Sequence, residues 1–351
     1  MVLTTLKVFK SYNIFTVLRH YSLESAANKT VIPVSDENLM QKLLRVGIIG
    51  MPNAGKSTFI NNLMERMVCP ASSKIHTTRS NSMAIFTEGD TQIVFVDTPG
   101  VVNEKEYAKF HLNRAFKRDA KRALKNADII GVIHDVSNIH TKEKLDIKIL
   151  NLLQYHKDKP SFLIFNKVDL LRSKRKLLDL TRVITENSID GKPISGSQPR
   201  THKVENEYKG WPYFQEVFMV SSLMGDGLID VKKYLLKQGK SEKWMFPEEI
   251  WTDQSAEDMI LKTVQAKLLD FLPQEIPYNL KSDIEYFNVN SEGILSTVVI
   301  VNCPSIRVAR LIAGACDGRL RQIIQSVQQD LQSAFNNFVR LKIVLYPPYK
   351  E

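Results

Sequence analysis

The chain is poor in cysteine, and the little it has is badly spaced for a metal. Cys69, Cys303 and Cys316 are the whole complement. No two of them fall at a zinc-knuckle spacing and the number is odd, which excludes a cysteine-ligated metal centre and a disulfide framework. They read as free thiols in a reducing compartment. No run of eighteen apolar residues exists, so a membrane-spanning helix is excluded on length. Acid is missing from the beginning: none precedes Glu24, whereas Lys7, Lys10 and Arg19 are interleaved with apolar residues. No compact apolar stretch ends in a small-residue cleavage site, so a secretory signal is excluded. The pattern fits a mitochondrial transit peptide over residues 1–21, cut after Tyr21 within "RHYS", and places the mature protein in the matrix.

What is present is charge, unevenly placed. The net charge is +10, with +3 on residues 1–29, +10 on residues 30–240 and −3 on residues 241–351. The basic excess points to an anionic partner, and it sits in the first two thirds of the chain. Much of it comes from "KEYAKFHLNRAFKRDAKRALKNAD", where Arg114, Lys117 and Arg118 fall at helical spacing and make candidate RNA contacts.

The stretch "RVGIIGMPNAGKSTFINNLM" opens on an apolar strand, Val46–Ile49, and closes on a helical pattern. Between them runs a complete G-x-x-x-x-G-K-[ST], from Gly50 to Ser57, in the strand–loop–helix context that motif requires. Glycines let backbone N–H groups turn inward around phosphates, and the helix N-terminus adds partial positive charge. The cradle is Gly50, Asn53, Ala54, Gly55, Lys56, Ser57 and Thr58, with Lys56 reaching the β- and γ-phosphates and the Ser57 hydroxyl on Mg²⁺. A second apolar strand ends in Asp97-Thr98-Pro99-Gly100: Asp97 is placed to hold Mg²⁺ through water, and the bare N–H of Gly100 to approach the γ-phosphate. A third, "SFLIF", ends in Asn166-Lys167-Val168-Asp169. An aspartate there accepts from the N1–H and 2-amino group of guanine, a donor pair that adenine lacks. A fourth, "EVFMV", ends in Ser221-Ser222-Leu223, whose N–H groups are placed to cap the guanine O6.

In this order, each at the end of an apolar strand, the motifs resemble those of translation-factor-like GTPases. Two further stretches narrow the resemblance to Era-type GTPases, and the leader to a mitochondrial one: "HTTRS" before the second strand, and "TDQ" with "QEIPY" in the tail. The likeness runs from about Arg45 to Leu345. A tandem GTPase would repeat the phosphate loop, and the tRNA-modifying relatives end in Cys-x-Gly-Lys; this chain has one loop and ends in "YPPYKE".

The resemblance implies an α/β fold: a P-loop GTPase domain with a mixed, mostly parallel sheet over 45–240, a linker over 241–254, and a smaller α+β KH domain of prokaryotic type over 255–351. Within the first, 186–211 is rich in Gly, Ser, Pro and charge and reads as a disordered insertion. The tail reads helix–strand–strand–helix–helix–strand, opening on a helix at Ala256–Phe271 and with its second long helix running to about Phe338. The resemblance makes Thr77 or Thr78, with Thr78 favoured, the second protein ligand to Mg²⁺ when GTP is bound. Asn53 reads equally as a turn residue or, from relatives with the same loop, as a ligand for K⁺ that replaces an arginine finger. Val101 and Val102 follow Gly100 where a Ras-like enzyme carries a water-orienting glutamine, so intrinsic hydrolysis is expected to be slow and partner-stimulated.

A KH loop, G-x-x-G between two helices, grips RNA by bare backbone. In "LIAGACDGRL" Gly314 takes the first glycine position and Asp317 the second, without the usual basic residues between. Arg307, Arg310, Arg319 and Arg321 cluster around it, and Asp317 is placed to cap the following helix. The expectation is a degenerate clamp that touches RNA by charge. The implied partners are small-subunit mitochondrial rRNA and the small ribosomal subunit, which a monomeric protein would help to assemble; peripheral association with the inner membrane is left open. The alternative is a regulatory GTPase whose altered KH domain binds a protein.

Overall fold

The computed structural model describes residues 41–70, 82–97, 124–194, 210–273 and 276–347. The first body is a sheet in the order β2-β3-β1-β4-β5-β8. Its strands are β1 (Lys42–Gly50), β2 (Ser82–Glu88), β3 (Thr91–Asp97), β4 (Ile129–Asp135), β5 (Ser161–Asn166) and, after the two-residue hairpin β6–β7, β8 (Phe214–Val220). All pairings along this path are parallel except β2 with β3. Parallel strands are covered on both faces, which is why β1, β4 and β5 read as nearly unbroken apolar runs. One face packs on α1 (Lys56–Leu63) and α4 (Leu228–Lys237) through Phe59, Ile60, Val231 and Leu235, all fully buried. The other packs on α2 (Ile147–Tyr155) and α3 (Lys176–Ile184) through Ile149, Leu153, Leu177 and Leu180. Each such side chain contributes about 1.5–3 kcal/mol of hydrophobic stabilisation. With β3 on one side of β1 and β4 on the other, the strand order reverses at β1, and ligands of such sheets bind at the carboxyl ends there.

The second body follows the order expected for the tail: α5 (Ala256–Phe271), β10 (Lys281–Val289), β11 (Leu295–Asn302), α6 (Ile306–Ala313), α7 (Gly318–Phe335) and β12 (Val339–Tyr346). Ser255 caps α5 by accepting from the Asp258 N–H at 3.1 Å, and Ser305 caps α6 from Val308 at 3.3 Å. In the three-stranded sheet β10-β11-β12, β10 pairs antiparallel and β12 parallel with β11. Its inner face, Val299, Val301, Leu341 and Ile343, shares a core with Ile260, Val264, Val327 and Leu331 of α5 and α7. Helix α7 stops at Phe335, three residues short of Phe338, because Asn336 takes a left-handed turn at φ 49°.

Residues 241–254 do more than join the two bodies. The strand β9 (Lys240–Ser241) pairs antiparallel with Lys42 and Leu43 of β1. Gln92 of β3, fully buried, accepts from Met245 N–H and Phe246 N–H at 3.0 Å each and donates to the Phe246 carbonyl at 2.9 Å. The segment then lies along the edge of β2. Ile85 N–H donates to the Trp251 carbonyl at 2.9 Å, the Thr252 hydroxyl to the Met83 carbonyl at 3.0 Å, and Met83 N–H to the Asp253 carboxylate at 2.8 Å. The chain between the domains is thus strapped across an edge strand, satisfying backbone groups that would otherwise pair elsewhere.

The insertion expected over 186–211 is ordered at both ends. Ser188–Ile189 and Lys192–Pro193 form the β6–β7 hairpin, turned by Asp190 and Gly191 at positive φ. Trp211 is buried and donates its indole N–H to the Ser161 hydroxyl at 3.2 Å. Residues 1–21 and 195–209 lie outside the described residues.

Where the bodies meet, the Arg66 guanidinium stacks 4.9 Å above the Trp251 ring, which itself lies edge-on to Phe335 of α7. A groove of about 580 Å³ opens there, between Asn62, Leu223 and Met224 on one side and Lys267 and Asp330 on the other.

Candidate functional site

The phosphate loop leaves β1 at Gly50 and enters α1 at Lys56. Two of its glycines are required by crowding. A Cβ on Gly50 would lie 2.5 Å from the Ile133 carbonyl oxygen of the neighbouring strand, and one on Gly55 would lie 2.3 Å from the Asn166 amide nitrogen. Gly55 also sits at φ 94°, where side chains are strained. Ala54 is buried beneath the loop, and Asn53 stands exposed at φ 60°. Lys56 is itself buried, and its ammonium donates to the carbonyls of Gly50 at 3.3 Å and Met51 at 3.1 Å. The lysine thus closes over its own loop. Ser57 and Thr58 follow in the first turn of α1, whose leading N–H groups face the loop.

The guanine-reading loops are braced against that cradle by one residue. Asn166, at the end of β5 and almost fully buried, donates its amide to the Ala54 carbonyl at 2.8 Å. Its Oδ1 accepts from the Ser222 N–H at 3.0 Å. Lys167 turns the chain at φ 65° and sets its ammonium 2.6 Å from Asp135 at the end of β4. Burial pushes the Asp135 carboxyl up, but bonds from Lys167 and Ser137 outweigh it and hold it below the usual carboxylate range. Asp169 accepts from the Ser221 hydroxyl at 2.6 Å, and that hydroxyl accepts in turn from the Met224 N–H at 3.2 Å. Leu223 lies exposed at the tip, and Asn62 of α1 donates to the Ser222 carbonyl from behind. The N–H of Ser222, expected to cap a guanine oxygen, is committed to Asn166 in this structure.

Sequence reasoning did not single out Asn61, Asn62 or Asp135. Asn61 accepts from Val68 N–H and Cys69 N–H at 2.9 and 2.8 Å and donates to the Cys69 carbonyl at 2.7 Å, anchoring the chain just before residues 71–81. Only Asp135 left a trace, as an acid closing the apolar run "IIGVIHD". Thr78, Gly100, Arg114, Lys117 and Arg118 lie outside the described residues, as does the side chain of Asp97, whose backbone ends β3.

Around the altered KH loop, Arg307, Arg310 and Arg321 are exposed, and no ion pair or hydrogen bond ties their guanidinium groups to other described residues. Arg319 differs. Its guanidinium donates to the Leu311 carbonyl at 2.5 Å, closing the end of α6, so it holds the two helices together rather than standing free. Gly314, at φ 74°, lies so close under it that a Cβ would come within 2.8 Å of the Arg319 Cβ. Cys316 and Asp317 take left-handed turns at φ 49° and 58°. Asp317 occupies the cap position of α7 but makes no side-chain capping bond, contrary to expectation, because that conformation is not the extended one a capping side chain needs.

A phosphate cradle at the switch point of a mostly parallel sheet, with an Asn-Lys-x-Asp loop locked to it and a KH body behind, defines a P-loop GTPase of the two-domain, KH-bearing class. A family model described as "50S ribosome-binding GTPase" matches residues 45–167. A protein of Danio rerio, "GTPase Era, mitochondrial", is 35% identical over 333 residues, covering 86% of this chain and 74% of that one. The protein of the same description from Caenorhabditis elegans is 25% identical, covering 87% and 89%. Among solved structures, Era in complex with MgGDPNP and nucleotides 1506–1542 of 16S ribosomal RNA aligns with a TM-score of 0.69 and 24% identity, over 88% of this chain and 94% of that one. The chain belongs to the mitochondrial Era GTPase family, and with it to the enzymes that hydrolyse GTP.

Proposed function

We propose that this protein is a GTP-timed RNA-binding switch of the mitochondrial matrix, which binds small-subunit rRNA and acts as a chaperone and assembly factor of the small ribosomal subunit. The observation that carries the reading is Asn166. It ties the phosphate cradle at Ala54 to the guanine-reading loop at Ser222, in a chain that also bears three unpaired arginines on its KH helices. The solved Era complex with a 16S rRNA fragment supports RNA as the partner, and relatives named as mitochondrial support the compartment. Matrix targeting rests on residues 1–21.

The site residues fit a nucleoside triphosphate with Mg²⁺. The two glycines let the loop pack against Ile133 and Asn166, where a Cβ would collide, and the Lys56 ammonium, which donates to two loop carbonyls, would exchange them for β- and γ-phosphate oxygens. Mg²⁺, when bound, neutralises charge that develops between the phosphates. Ser57 and Thr78 would hold it directly and Asp97 through water, while the Gly100 N–H would meet the γ-phosphate. Asp169, fixed by the Ser221 hydroxyl, selects guanine. Asn53 stands exposed at φ 60°, a turn residue that would also serve as a ligand if K⁺ binds beside the phosphates. With Val101 and Val102 unable to hold a water, hydrolysis is slow until a partner stimulates it. The protein acts as a monomer in this reading.

Ultraviolet crosslinking in mitochondria, followed by sequencing of the bound RNA, tests it. One dominant site on small-subunit rRNA is expected. Absence of RNA enrichment over background would overturn the reading and leave the KH body as a protein-binding module.

A further inference from the structure

The sheet of the KH body has a second face that no helix among the described residues covers. Its pairing sets out four rows across β10, β11 and β12: Asn288–Ser296–Arg340, Tyr286–Val298–Lys342, Asp283–Ile300–Val344 and Lys281–Asn302–Tyr346. None of Val298, Ile300 and Val344 belongs to a core cluster, and each is half-buried. Tyr286 and Tyr346 are 49% and 46% exposed, and Lys281, Arg340 and Lys342 are exposed beside them. Against three cations stand two acids: Asp283, whose carboxylate already accepts from the Asn302 amide at 3.0 Å, and Glu285, exposed in the bulge. This is a basic face in a segment, 241–351, whose net charge is −3.

Tyr286 reaches that face only because β10 is irregular. Ile284 pairs with Val299 on the inner face, and strict alternation would return Tyr286 to the same side and turn Phe287 outward. A bulge between Ile284 and Tyr286 takes up Glu285, so Tyr286 pairs with Val298 on the outer face and Phe287 packs on the core. The Thr297 hydroxyl fixes the shifted strand by donating to the Tyr286 carbonyl at 3.0 Å. Bulges re-aim side chains, and this one exposes an aromatic ring that the alternation would have buried.

We propose that this outer face is a platform for single-stranded RNA, separate from the α6–α7 loop. The inference rests on the RNA-binding reading above and extends it to a second surface of the same domain. Bases stack on Tyr286 and Tyr346 over the aliphatic centre, while Lys281, Arg340 and Lys342 meet the phosphates. Strands lie about 4.8 Å apart, so Tyr286 and Lys342, two strands apart, stand roughly 10 Å from each other, a base-to-phosphate reach. The excess of cations over acids and the two exposed rings together favour RNA, which supplies both phosphates and bases, over a protein surface.

The test uses the full chain and a fluorescein-labelled, mixed-sequence 20-mer RNA, read by anisotropy across a salt series. Tyr286→Ala is expected to weaken binding about tenfold, and Tyr286→Phe to restore it, since stacking needs the ring alone. Arg340→Gln with Lys342→Gln is expected to flatten the slope of log K against log salt by about 1.4, two single-strand phosphate contacts. These positions are exposed, and an unchanged circular-dichroism melt checks that the variants fold. If the wild type binds the RNA and all three variants match it in affinity and slope, the platform is refuted while the wider reading stands. If the wild type does not bind, the RNA-binding reading falls and this inference with it.

Discussion

Asn166 offers the sharpest test of how the nucleotide site is built. Asn166→Ala removes both bonds of a nearly fully buried amide and orphans the Ala54 carbonyl and the Ser222 N–H, themselves 1% and 3% exposed by residue. An orphaned buried group costs about 1–3 kcal/mol, so the loss is about 2–6 kcal/mol. For a domain of this size 1 kcal/mol moves the melting temperature by about 2–4 °C, giving a drop of roughly 4–24 °C. The G-domain transition is the one that rises when GDP is added, since a ligand stabilises only the body it binds. Gly55→Ala attacks the same contact from the other side, because its Cβ would lie 2.3 Å from the Asn166 amide nitrogen at φ 94°. In the double variant the amide is gone and the clash with it, leaving only backbone strain. The two losses should therefore fall short of additive by at least about 1 kcal/mol. An Asn166→Ala melt within 2 °C of wild type, or strict additivity of the pair, would show that the amide does not brace the two loops.

Two further perturbations read other parts of the fold. The Asp135 carboxyl is held low by Lys167, so its folded value lies below the unfolded one; the stabilisation is present above about pH 4 and is lost as pH falls through the folded value. Lys167→Met should cost about 1 kcal/mol or less at pH 7, a difference that shrinks as pH falls below the ordinary carboxylate range, and a pH-independent difference in urea titrations would contradict this. Gln92→Leu removes three hydrogen bonds to a partly exposed segment, at about 0.5–1.5 kcal/mol each or about 1.5–4.5 kcal/mol in all, and should speed proteolytic cutting between residues 242 and 251. Unchanged cutting would mean the strap is held elsewhere.

How much of this could be read from the sequence depended on how local the cause was. The phosphate loop, the apolar strands and the helix from Ala256 to Phe271 are set by spacing along one stretch of chain, and they stand in the structure where spacing placed them. The site's bracing was not visible, because Asn166 reaches Ala54 across 112 residues and Asn62 reaches Ser222 across 160. Periodicity hid two features outright. Residues 241–254 follow no apolar pattern because they hold the sheet by backbone groups and by Gln92. The bulge in β10 breaks the alternation from which facing is inferred, and alternation alone would turn Tyr286 inward. Arg319 looked like its neighbouring arginines because only the fold brings it to the Leu311 carbonyl.

The strap over β2 also bears on the order in which the chain is made. Ribosomes deliver β2 and β3 early, but the partner that covers the edge of β2, Trp251 to Asp253, is translated about 160 residues later. Until then Met83 and Ile85 offer unpaired N–H groups to any passing strand. A nascent or imported chain that has delivered everything up to residue 240 therefore holds a complete nucleotide pocket with one raw side. A fragment cut at that point should be prone to self-association, and a cut just beyond Asp253 should not.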